Sequence, residues 1–94
     1  AHWADLLAQM ALSLRGYDAL MRQLAALAGE LCEGRIVVVL EGGYHLGALA
    51  NGWANAVRAL LGDADCADPL GPAGGGEPEI GGLIDRILNL HHLP

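Results

Sequence analysis

The consecutive residues Glu41, Gly42, Gly43, Tyr44 and His45 are where this chain concentrates side chains and backbone able to do chemistry. A tyrosine hydroxyl held beside a reacting carbonyl can donate a hydrogen bond to the oxyanion that forms when a nucleophile attacks. The same phenol after two glycines can also be no more than a cap on the core. Glu41 admits a general base, a metal ligand, or a carboxylate that tethers the glycine turn through backbone N–H groups; the tether is the plainer use. Gly42 and Gly43 allow torsions and close approaches that a side chain forbids. They do not make a nucleotide site, because GxGxxG is not met and a chain without lysine has no Walker lysine.

The remaining candidates are weaker. His2 and Asp5 lie three apart, and two possible ligands do not make a metal site. His45 precedes a helix and reads as a structural cap or a solvent-facing ring. His91 and His92 read as solvated tail residues. Cys32 and Cys66 are far apart and lack CxxC spacing, which reads as reduced thiols of a cytoplasmic protein.

These residues need elements to hold them. Ile36 to Leu40 is an unbroken, mostly β-branched apolar run with no polar face, the pattern of an inner strand covered on both sides. It predicts an α/β fold with a parallel sheet, and sheets of that class put ligand chemistry beyond the carboxyl ends of their strands, where Tyr44 stands. Before the strand, Ser13 can cap a helix whose Tyr17, Leu20, Met21, Leu24, Leu27 and Leu31 form one apolar stripe, with Gly34 as its stop. After the turn, Leu46, Leu49, Trp53, Val57 and Leu60 mark a second helix over about Leu46 to Leu61, stopped by Gly62. Residues 62–78 are rich in glycine and proline and predict a surface loop; residues 79–92 predict a short amphipathic C-terminal helix. One strand has no partner here, so the helix-strand-helix unit is expected to be incomplete on its own, residues 1–94 forming the C-terminal part of a single larger domain.

Composition narrows the partners. Hydrophobic residues make up 53% of the chain, too many for a disordered tail. Eleven acidic residues against five arginines give a net charge of −6, which repels phosphate backbones and argues against direct nucleic-acid binding. No apolar run approaches the ~20 residues of a membrane span.

The opening AHWADLLAQMALSLRGYDALM, the segment IVVVLEGGYHLGALA and the ending DPLGPAGGG…IGGLIDRILNLHHLP together resemble the carboxyl-terminal portion of the histone deacetylase superfamily. The closest flavour is its bacterial group of histone deacetylase-like, acetoin-utilisation and acetylpolyamine amidohydrolase proteins. EGGY after an apolar run is the most specific element of the likeness, and AHWAD is the second.

The resemblance implies an arginase-like α/β fold with a central parallel sheet, in which a zinc ion held by two aspartates and a histidine activates water to hydrolyse an N-acetyl amide. It places the third zinc ligand one residue before Ala1 and the others further upstream, so this chain is expected to hold no metal ligand and to be inactive alone. It matches Tyr44 to the family's catalytic tyrosine, Gly42 and Gly43 to the glycines lining the channel for the acylated side chain, and Leu7 to an apolar wall of that channel. The implied partner is an acetylated amine: protein lysine, polyamine or small metabolite. Two positions depart from the family pattern: Leu6 stands where proline is usual, and His45 where asparagine is common. Against the enzyme stands a second reading, a degenerate, non-catalytic α/β scaffold or interaction protein that keeps the turn for structural reasons.

Overall fold

Ser13 begins the first ordered element as its spacing requires. In the computed structural model, which describes residues 1–76 and 78–94, its hydroxyl accepts the Gly16 N–H at 3.1 Å and α1 runs Leu14–Cys32. The helix stops through Glu33 in the left-handed region (φ 57°), and the Gly34 N–H then bonds back to the Ala28 carbonyl at 2.9 Å, closing free carbonyls of the last turn. α2 (Leu46–Leu61) starts at His45 and ends at the left-handed Gly62. α3 (Gly81–Leu90) has no side-chain cap at Ile80 and is shorter than the expected 79–92.

The α/β expectation is overturned: these three helices are the regular structure, and no sheet forms among the described residues. Residues 36–40 carry no strand ladder, and the β pairing among the described residues is one isolated parallel bridge between His2 and Leu12. The physical reason is partnership. A strand is defined by hydrogen bonds to a neighbour, and this run has none among the described residues, however β-prone its own. Its outward side chains stay in water, Val37 at 87% exposure and Val39 at 73%, while Ile36 and Val38 are half-buried.

What core exists lies between α1 and α2, the helices that pack on each other. Leu14 is 1% exposed at its centre, and a methyl built on Gly52 of α2 would lie 3.4 Å from it, so the missing side chain sets how near the helices come. Ala48 and Ala59 of α2 and Ala28, about four turns further along α1, are the other buried apolar residues. Buried Asn55 of α2 then ties down part of the glycine- and proline-rich segment. Its amide donates to the Ala67 carbonyl at 2.7 Å and its oxygen accepts the Ala67 N–H at 3.0 Å. Arg22 of α1 adds bonds to the carbonyls of Asp63 and Asp65 while paired with Asp18 at 2.7 Å. Trp3 donates its indole N–H to the Gly71 carbonyl at 2.8 Å, pulling the first residues of the chain onto the same face. α3 packs on neither of the other helices.

Candidate functional site

The chain enters the Glu41–His45 turn in extended backbone and leaves it as a helix. Gly43 makes this possible at φ +133°, a torsion L side chains avoid, and a Cβ there would also strike the Leu49 side chain at 2.7 Å. His45 then caps α2: its Nδ1 accepts the Ala48 N–H at 3.1 Å. A histidine here serves as the shorter polar caps do, provided Nδ1 is the unprotonated nitrogen.

Tyr44 is 70% exposed. Its ring lies over Gly42; a methyl built on that glycine would meet the hydroxyl oxygen at 3.5 Å and ring carbons at 3.6 Å, ordinary contact distances. The core-cap reading of Tyr44 therefore does not describe this chain, in which the phenol points out of the α1–α2 core.

The tether assigned to Glu41 belongs to another carboxylate. Glu41 is exposed and, among the described residues, bonds to no backbone N–H of the turn. Asp5, buried at 5% exposure, accepts the Tyr44 N–H on Oδ2 at 3.0 Å and the Leu7 N–H on Oδ1 at 3.1 Å. The Tyr44 bond above all, helped by those from Leu7 and Ala8, holds the Asp5 carboxyl below its usual range. The local half of this arrangement, an aspartate bonding the N–H two residues on, is a turn signal readable in sequence. The half that reaches Tyr44 is not, because it spans 39 positions.

His2 packs beside the turn, stacked on His45 with ring centroids 6.4 Å apart. Its Nδ1 accepts the Ala4 N–H at 3.1 Å, which puts the proton of the neutral ring on Nε2, a buried atom without a partner among the described residues. Burial pushes the His2 imidazole below its ordinary value, against the opposing pull of Asp68. A cleft of about 600 Å³ opens between α1, the extended run and α2. Its floor is apolar, through Leu14, Leu24, Val38 and Leu49, and Asp5, Gly42, Gly43, Tyr44 and His45 stand along it. Leu7 is elsewhere, 75% exposed and outside the cleft, joined to the site through its backbone alone.

No three His, Cys, Asp or Glu side chains among the described residues converge as a metal set would. His2 and Asp5 do not approach one: the carboxylate is spent on two N–H groups, and the imidazole offers a proton rather than a lone pair. The residues present do not fit a zinc ion.

A model described as the histone deacetylase domain matches residues 1–60. "Histone deacetylase 14, chloroplastic" of Arabidopsis thaliana is 42% identical over 67 residues, covering 71% of this chain and 16% of that protein. The "Probable deacetylase" of Archaeoglobus fulgidus is 42% identical over 62 residues, 65% of this chain and 17% of its own length. "Histone deacetylase 10, chloroplastic" of Oryza sativa subsp. japonica is 35% identical across 99% of this chain and 22% of that protein. The chain thus spans between 16% and 22% of these relatives, which are plant and archaeal rather than bacterial. No solved structure matches it.

Proposed function

The chain belongs to the histone deacetylase family, and on that premise we propose that it is the part of a larger deacetylase-type hydrolase that supplies the phenol for transition-state stabilisation. The carrying observation is the Tyr44 turn: an exposed phenol over a bare glycine, anchored by its own N–H to buried Asp5 and followed at once by a capped helix. Tyr44 Oη donates to the carbonyl oxygen of an N-acetyl amide and holds the negative charge that develops there as water adds. Gly42 and Gly43 leave room for the alkyl stem of the acylated amine, and Leu7, which stands outside the cleft on the loop that Asp5 shapes, is an apolar side chain for the rim of that channel and not for its wall.

In this reading a zinc ion would be held by residues outside this chain and would supply activated water, and the substrate is acetylated lysine, acetylpolyamine or a small N-acetyl metabolite. The acidic balance favours a cationic amine over a nucleic acid. Among the described residues no helix is long and apolar enough to cross a membrane; a cytoplasmic location is part of the proposal and rests on the unpaired thiols Cys32 and Cys66.

The test is Tyr44→Phe in the full-length polypeptide that carries this segment. Zinc content stays unchanged and turnover of an acetyl-lysine or acetylpolyamine substrate falls at least tenfold, towards the order of 10²–10³ seen when one oxyanion donor is lost. Equal turnover by the two proteins returns the turn to the structural role of a non-catalytic scaffold.

A further inference from the structure

We propose that Asp5 is a positioning residue for Tyr44: its carboxylate, fixed on one oxygen by the Leu7 N–H, holds the tyrosine backbone with the other and so aims the phenol. This rests on the reading of Tyr44 as the oxyanion donor and adds to it the group that keeps the donor in place.

The need for such a group follows from the turn itself. A phenol that stabilises a transition state must be held within a fraction of an ångström of its productive position. Tyr44 has little packing to hold it, being 70% exposed, and Gly42 and Gly43 on its N-terminal side restrain the backbone less than any other pair of residues would. On its C-terminal side the His45 cap fixes the start of α2. The peptide between these two regimes is the Tyr44 N–H, and that N–H is the group Asp5 engages at 3.0 Å.

Asp5 is suited to the task because it is itself immobile. Its N–H bonds to the His2 carbonyl at 2.9 Å, its carbonyl accepts the Ala8 N–H at 3.2 Å, and the residue is 5% exposed. The same carboxylate therefore sets the loop that carries Leu7 and the turn that carries Tyr44, and fixes the distance between them without the proline that position 6 lacks. An aspartate answers both demands where an asparagine cannot. The two N–H donors meet different oxygens of the carboxylate, and the amide of asparagine would turn an N–H₂ towards one of them.

The experiment is a double-variant cycle in the full-length polypeptide, with Asp5→Asn, Tyr44→Phe and the two combined, each shown by circular dichroism and zinc content to be folded and loaded. Asp5→Asn lowers kcat by about ten- to a hundredfold with KM little changed, as a misplaced donor does. If Asp5 acts through the phenol, the combined variant is no slower than Tyr44→Phe alone. Amide hydrogen exchange at Tyr44, read by mass spectrometry, quickens in Asp5→Asn whatever the activity. Losses that multiply in the combined variant, or an unchanged kcat or Tyr44 exchange rate in Asp5→Asn, overturn the inference while leaving the deacetylase reading intact. A wild-type polypeptide that hydrolyses no acetyl amide overturns that reading, and this inference with it.

Discussion

At the scale of single residues, one carboxylate holds the turn: Asp5 accepts the Tyr44 N–H across 39 positions, while Glu41, within the turn, is exposed and bonds none of its backbone N–H groups among the described residues. Two buried groups now have a defined pH response. The Asp5 carboxyl is held below its ordinary 3.8, so the folded chain prefers it ionised; its contribution is complete above that value and is lost as pH falls through the lower folded value. His2 is held below its ordinary 6.5 by burial, so the folded chain prefers it neutral; the unfolded chain takes up the proton first, and stability starts to fall as pH drops below 6.5. Acid should therefore act in two steps, the upper one abolished by His2→Gln and the lower one by Asp5→Asn. Urea midpoints measured from pH 8 to pH 3 on the full-length polypeptide check this, and an upper step that survives His2→Gln removes His2 from the account. Tyr44 and its glycines stand out in the sequence by kind and order, whereas Asp5 does not, since the bond that gives it meaning joins positions 39 apart.

At the scale of elements, what is local was legible. Ser13, the α1 stripe and the Gly62 stop all lie within a few residues of what they control, and α1 and α2 begin and end where those signals put them. The strand failed because pairing is not local: Ile36–Leu40 has the residues of a strand and, among the described residues, no neighbour to make it one. Two glycines separate the local from the positional in a measurable way. Gly29 sits within α1 with ordinary torsions and open space where a Cβ would go, so Gly29→Ala should stabilise the protein by about 0.5–1 kcal/mol. Gly43 has φ +133° and the Leu49 side chain in the way, so Gly43→Ala should destabilise it by about 1–3 kcal/mol. Denaturant midpoints of the two variants shift in opposite directions; a Gly43→Ala midpoint that does not fall would mean that the turn does not require a glycine there, and a Gly29→Ala midpoint that falls would remove the helix-propensity argument at Gly29.

At the scale of the whole molecule, surface decides. The chain exposes 7161 Å², whereas a compact monomer of its 9.7 kDa would expose about 5,100 Å². Its radius of gyration is 15.2 Å against about 12 Å for a compact domain of this length. The excess of about 2,000 Å² is more than twice what one partner contributes to a standard stable interface. Much of it is apolar: Val37 and Val39 of the extended run, Leu83, Ile84 and Leu90 on unpacked α3, and the floor of the cleft. Surface of that kind, left in water, recruits dye, detergent or other copies of itself. Expressed alone, the 94-residue chain should bind a hydrophobic dye strongly, sediment as a concentration-dependent mixture and hydrolyse no acetyl amide. On the proposal that this segment is part of a larger deacetylase, the full-length polypeptide should bind little dye at the same molar concentration, its other residues covering these faces. A monodisperse, dye-free monomer of the isolated chain would show that the exposed apolar faces need no cover, and chelator-sensitive turnover by it would overturn the proposal that the metal is held by residues outside this segment.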